Sequence, residues 1–132
     1  LHLSVHSFPT RRSSDLMLRG KRLAIDALGG LYFRRVLLKA AEDVGLPVVS
    51  GFMAGTTGCV STIYPGDKGL SSMWEGQQGA EDELGCLAYT ASAVASMQCA
   101  EVINLLCGRQ ARLKQKMAVC DLQECSWEMF EV

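Results

Sequence analysis

The stretch from Arg22 to Val49 narrows the possible folds more than any other part of this chain. In about 28 residues it sets out an apolar run (Arg22 to Leu28), a glycine pair, a helical pattern and a second apolar run (Leu46 to Val49). The first run is continuous rather than alternating, which marks a strand buried on both faces of a parallel sheet. Tyr32 to Val44 places Phe33, Val36, Leu37, Ala40, Ala41 and Val44 at helical spacing, with Gly45 as the stop and Pro47 beyond it. A strand, a helix and a second strand in so short a span make a right-handed crossover unit, and the chain is therefore expected to be α/β.

The rest of the chain elaborates that unit. Phe52 to Tyr64 mixes β-branched residues with Gly55 and Gly58 and reads as extended chain turning back on itself. Pro65 to Gly85 is glycine-rich, acidic at Glu81, Asp82 and Glu83, and aperiodic, so it is expected to be a long loop, functional or mobile. Thr90 to Leu106 returns to helical order, with Val94, Met97, Val102, Leu105 and Leu106 on one side, Ser or Thr caps at its start and Gly108 at its end. Its many small residues suit close packing on a sheet. Met117 to Leu122 and Trp127 to Val132 are predicted to form a terminal β-hairpin around Gln123 and Glu124.

The first 16 residues fit none of this. Their stretch HSFPTRRSSDL has no apolar period and looks like the conceptual translation of a short-read sequencing adapter, so residues 1–16 are expected to be non-native and unstructured. On that reading the frame is truncated at its 5′ end. Setting aside Arg11, Arg12 and Asp15 leaves 11 basic and 13 acidic residues, a balance that attracts neither nucleic acid nor anionic lipid. His2 and His6 are the only histidines, so a Ser-His-Asp triad, a Cys-His dyad and a histidine zinc site are excluded with them. No apolar run reaches the 18 or so residues of a membrane span and no signal peptide opens the chain, which predicts a cytoplasmic protein. The six cysteines include no Cys-x-x-Cys pair, so no zinc is expected. Buried reduced thiols are the default, and Cys99 and Cys107, within the last helical pattern, read as small core residues.

In an open parallel sheet, ligands sit at the carboxyl ends of strands, which points to Asp26-Ala27-Leu28-Gly29-Gly30. Paired glycines there would let the backbone approach a nucleotide or phosphate. A strand followed by such a pair is more often just a tight turn. The order of segments, from LRGKRLAIDALGG through FRRVLLKAAEDVGLPVVSG, GCVSTIYPGD and ASMQCAEVINLLCG to MAVCDL, resembles the carboxyl-terminal half of the ThiF/MoeB/HesA family, relatives of ubiquitin-activating enzymes. The resemblance spans almost all of residues 18–132.

That resemblance implies a partial Rossmann-like domain with parallel strands, two main helices and the terminal hairpin. It further implies an enzyme that uses ATP and magnesium to adenylate the carboxyl-terminal glycine of a ubiquitin-like sulfur carrier, the complete protein being a homodimer. Asp26, Gly29, Gly30 and Arg34 fall on its nucleotide-binding motif. The family's magnesium-associated aspartate aligns with Gly29 and its partner with Gly30, which carry no side-chain ligand; Asp26 is an imperfect substitute that could equally accept backbone hydrogen bonds. Cys86 lies near the position of a nucleophilic cysteine in some relatives and would need the start of the following helix to lower its pKa; a buried thiol is the alternative. There is no G-x-G-x-x-G phosphate loop. The fragment alone is therefore expected to be inactive. A non-catalytic carrier-binding or dimerisation module is the competing reading, and a dinucleotide-dependent oxidoreductase a distant third. Loss of upstream strands should leave the Arg22–Leu28 strand with an unpaired apolar edge and make residues 17–132 self-associate.

Overall fold

A computed structural model describes residues 16–67 and 79–132; residues 1–15 of the adapter-like tail and residues 68–78 of the long loop fall outside them. The chain order is β1 (Ala24–Asp26), α1 (Leu31–Asp43), β2 (Val48–Ala54), β3 (Thr57–Ile63), α2 (Glu81–Leu84), α3 (Ala88–Leu106), β4 (Lys116–Asp121) and β5 (Ser126–Glu131). The five strands form one sheet in the order β1-β2-β3-β4-β5.

β1 and β2 run parallel, with Ala24, Ile25 and Asp26 opposite Val48, Val49 and Ser50, and α1 makes the crossover between them. α1 ends where the sequence places its stop: Gly45 takes φ 74°, and the amide of Leu46 returns to the carbonyl of Ala41 at 2.8 Å. Every later pairing is antiparallel. The reason is local: only Gly55 and Thr56 separate β2 from β3, too short for a parallel crossover, so the chain can only fold back on itself. The parallel character expected of the sheet is thus confined to its first pair. The predicted terminal hairpin is present as β4 and β5, with Asp121 opposite Ser126 at its closed end.

Both faces of the sheet are covered. On one, α1 packs Leu37, Leu38 and Ala41 against Ala24, Leu46 and Val48, and Leu31 and Leu38 reach on to Met117, Phe52 and Cys59. On the other, α3 packs Val94 and Met97 against Val49 and Val60, with Leu113 closing the end. α3 starts at Ala88 behind Leu87, which makes no side-chain cap. Thr90, expected to cap this helix, lies within it, buried, and donates its hydroxyl to the carbonyl of Gly55 at 2.8 Å. Among the described residues no helix is long and apolar enough to cross a membrane.

Candidate functional site

β1 delivers Asp26 to the carboxyl edge of the parallel pair, and α1 turns back over that edge one turn into its length, at Arg34. The register sets Ser50 of β2 directly beside Asp26. All three side chains are buried. Arg34 Nη1 donates to Asp26 Oδ2 at 2.5 Å and to Ser50 Oγ at 2.9 Å, while Ser50 Oγ donates to the same Asp26 oxygen at 2.6 Å. The backbone amide of Leu28 donates to Asp26 Oδ1 at 3.1 Å. The second arginine nitrogen, Nη2, donates to the carbonyl of Leu28 at 2.9 Å, and the guanidinium also reaches the carbonyl of Gly51. It lies 5.3 Å from the centre of the Phe52 ring. Burial raises the Asp26 carboxyl above its ordinary value, with the Arg34 charge and the Ser50 hydroxyl pulling the other way.

This arrangement decides what Asp26 can do. Both of its oxygens are taken by protein donors, so it anchors α1 to the strand ends and has no lone pair directed at solvent for a metal. Among the described residues no group of three or more histidine, cysteine, aspartate or glutamate side chains could hold an ion. Gln98, which reaches in from α3, donates Nε2 to the carbonyls of Asp26 at 2.8 Å and Val49 at 3.1 Å. The β1 exit is thereby tied to both helices.

Gly29 and Gly30 stand on the rim just outside. Gly30 adopts φ 79°, and a Cβ placed on it would meet no atom within 4 Å, so its Cα side faces open space. Its amide, at the start of α1, donates to Glu81 Oε1 at 2.5 Å. A carboxylate from 51 positions along the chain thus caps α1 in place of a local Ser or Asp. Below this rim, on the α1 side of the sheet, lies a cavity of about 290 Å³ bordered by Leu31, Arg34, Phe52, Ala54, Cys59 and Glu81 among others.

The cysteines differ from their expected places. Cys86 is exposed, just ahead of α3, where its segment makes a single β-bridge to Gly55. Cys99 and Cys107 are exposed rather than core residues, because α3 turns Thr90, Val94, Gln98 and Glu101 towards the sheet and leaves them on the outer side. Cys120 is the buried thiol, and Cys59, half-buried in the cavity wall, is pushed up to about 11 by burial and by Cys120, which keeps it protonated.

Ser50, Gln98 and Glu81 had no role assigned from sequence. Gln98 and Glu101 did carry a signal: two polar residues three apart on the stripe that holds Val94. Glu101 is buried and accepts from the Thr62 hydroxyl at 3.0 Å and the Leu113 amide at 2.8 Å.

The sequence profile of the ThiF family matches residues 5–132. This chain belongs to the ThiF family. No curated protein matches it. Among solved structures, the selenomethionine form of PaaA aligns with a TM-score of 0.67 at 15% identity, covering 96% of this chain and 40% of PaaA. E. coli MccB with MccA-N7isoASN aligns with a TM-score of 0.69 at 11% identity, covering 95% of this chain and 42% of MccB. E. coli MccB with ATP aligns with a TM-score of 0.60 at 12% identity, covering 82% and 35%. At these identities the likeness is one of fold: a partial Rossmann-like domain of the ThiF type. The ThiF-family chain described here spans about two fifths of the length of these structures.

Proposed function

We propose that this chain forms the carboxyl-terminal part of an ATP-dependent adenylyltransferase that activates the carboxyl end of a small protein, a ubiquitin-like sulfur carrier being the substrate its sequence favours. One observation carries the reading: in a ThiF-family chain, the Gly29-Gly30 turn stands at the carboxyl end of the parallel strand β1 and at the start of α1, its Gly30 amide holding a carboxylate, that of Glu81. In the reaction, the terminal carboxylate attacks the α-phosphorus of ATP; an acyl-phosphate bond forms and pyrophosphate leaves. The Asp26–Arg34–Ser50 cluster holds α1 fixed against the strand ends, so that the rim at Gly30 keeps one position. Gly30 is bare on its Cα side, and a substrate group that takes its amide does so by displacing the Glu81 carboxylate. E. coli MccB was solved with ATP and with MccA, which supports a nucleotide and a small partner at this fold.

The described residues do not fit magnesium, since Asp26 is fully engaged and Gly29 and Gly30 offer no side chain; no step is assigned to a metal. That feature, together with Glu81 seated on the Gly30 amide, favours one second reading, a carrier-binding or dimerisation module without catalysis.

The test is exchange of labelled pyrophosphate into ATP by the product of the complete genomic reading frame, with and without a carrier ending in Gly-Gly. Carrier-dependent exchange is expected. Carrier binding with no exchange would establish the module instead.

A further inference from the structure

The charges of the described residues are sorted by end. Where β1 leads into α1, the connections 27–30, 55–56, 79–87 and 121–126 hold Glu81, Asp82, Glu83, Asp121 and Glu124 and no Lys or Arg. At the opposite end of the sheet, the connections 16–23, 44–47, 64–67 and 107–115 hold Arg19, Lys21, Arg22, Arg109, Arg112 and Lys114 against one carboxylate, Asp67. All six cations are exposed, and none forms an ion pair with a described carboxylate. Asp67 is spent on its own turn, accepting from the Tyr64 amide at 2.9 Å. The last turn of α3 gathers part of the patch: Arg22 Nη2 donates to the carbonyl of Leu106 at 2.9 Å, and the Arg109 amide to that of Asn104 at 2.9 Å. A helix end attracts cations, which accounts for Arg22 and Arg109. It does not account for Arg112 and Lys114. They sit on a turn tied down along its length. Buried Glu101 accepts from the Leu113 amide at 2.8 Å, the Thr62 amide donates to the Leu113 carbonyl at 3.1 Å, and the Ser61 hydroxyl donates to the Lys116 carbonyl at 2.8 Å. Gln115, at φ 54°, is held there by the Val132 amide on its carbonyl. The Lys114 ammonium lies 5.1 Å from the centre of the Tyr64 ring. Like charges fixed side by side repel one another until an anion neutralises them, and a turn so tied presents them already ordered.

We propose that this basic end is a docking surface for an acidic segment of another protein, a run of Asp and Glu residues lying across Arg109, Arg112 and Lys114 with Arg22 beside them. Guanidinium groups take carboxylates by paired hydrogen bonds, and Lys114 adds a point charge. Nucleic acid is the poorer occupant. Tyr64, the aromatic residue of these connections, has its ring face taken by Lys114, so it offers no platform for a base. Asp43, Asp67 and Glu131 stand at the same end, at the close of α1, in the turn after β3 and at the close of β5. A phosphate backbone running past the patch meets them, whereas a short acidic segment ends before it does. The acidic end of a second copy is also a poorer source, because Glu81 is spent on the Gly30 amide and Asp121 on the amides of Gln123 and Glu124. The surface lies at the far end of the sheet from the Gly30 rim. It therefore stands whether or not the adenylyltransferase reading does.

The experiment uses the full 132-residue chain, isotope-labelled, following the backbone amides of 109–116 and of 79–87 by NMR. The probes are acetyl-Glu-Asp-Glu-Asp-Glu-Asp-amide, its uncharged counterpart acetyl-Gln-Asn-Gln-Asn-Gln-Asn-amide, oligothymidylate and phosphatidylserine vesicles. The acidic peptide should shift 109–116 saturably, leave 79–87 in place and bind at least about tenfold more tightly than the uncharged one. Its affinity should fall at least about threefold as NaCl is raised from about 0.05 M to about 0.3 M, since the contact is between exposed charges. Arg112→Glu with Lys114→Glu should abolish the response. Arg112→Ser removes a side chain that makes no hydrogen bond or ion pair among the described residues; it should weaken binding several-fold and keeps the test decisive where the double variant fails to fold. Equal affinity for the two peptides, shifts confined to 79–87, or binding untouched by Arg112→Ser overturns the proposal. Tighter binding of oligothymidylate or of the vesicles than of the acidic peptide overturns it too, making the patch a nucleic-acid or a membrane surface. Pyrophosphate exchange by the complete protein is read separately, and its absence removes the reaction without touching this surface.

Discussion

Arg34 and Asp26 form a buried pair whose members depend on each other. Removing one partner of such a pair leaves an uncompensated buried charge, which costs about 3–5 kcal/mol, whereas exchanging both for apolar residues of similar volume is often neutral. Arg34→Leu is therefore expected to destabilise the chain by about that amount in urea denaturation, and Asp26→Leu with Arg34→Leu by clearly less than the sum of the single changes. The pH dependence has a definite sign. Burial holds the folded-state Asp26 carboxyl above its ordinary value of 3.8, so the folded chain favours the proton. Its contribution is fully present below 3.8 and is lost as pH rises through the raised value. The stability of the natural chain relative to Asp26→Asn should accordingly increase as pH falls, and denaturation series at several pH values check this. A gap that shrinks on acidification would mean that Arg34 outweighs burial.

The elements owe their closeness to glycine at two places. A Cβ on Gly58 would lie 2.5 Å from Val94 Cγ2 and 3.1 Å from Cys120 Sγ, and one on Gly51 would lie 2.5 Å from the Gln98 amide carbon. α3 therefore rests directly on the backbone of β2 and β3. Gly51→Ala and Gly58→Ala are each expected to cost about 1–3 kcal/mol through overpacking, and Val94→Ala should recover part of the Gly58→Ala loss, a coupling visible in a double-mutant denaturation cycle. The same close approach explains where the sequence misleads. Ser50-Gly51 looks like the end of the second strand, yet β2 runs on to Ala54, because Gly51 is there to admit the helix. β1 is shorter than the apolar run that announces it, since its ladder with β2 pairs only Ala24 to Asp26. α1 is legible within a residue or two, its signal being a single amphipathic period closed by Gly45. The site is half legible. Asp26, Gly29, Gly30 and Arg34 lie within one local motif, but Ser50, Glu81 and Gln98 join it across 24, 51 and 72 positions, and no local pattern encodes which distant polar residue will meet which strand end.

At the scale of the whole molecule the sheet has two open edges among the described residues, and they are not equally exposed. β1 offers three residues, with Ile25 51% exposed on the α3 side. β5 offers six, with Trp127 59%, Met129 57% and Phe130 44% exposed. Trp127 and Met129 pair with Cys120 and Ala118, so both stand on the α3 side of the sheet. A long apolar edge is the better template for a second strand. Glu128 and Glu131 temper this edge without interrupting its apolar face. The sequence alone pointed to the β1 edge as the place where such a chain would self-associate; the geometry moves the expectation to β5. In sedimentation velocity over a range of concentrations the chain should associate reversibly, and Met129→Lys should shift it towards monomer more than Ile25→Lys does. The reverse ranking would return the contact to β1. A monomer at every concentration would mean that three backbone positions on one side and two glutamates on the other are protection enough.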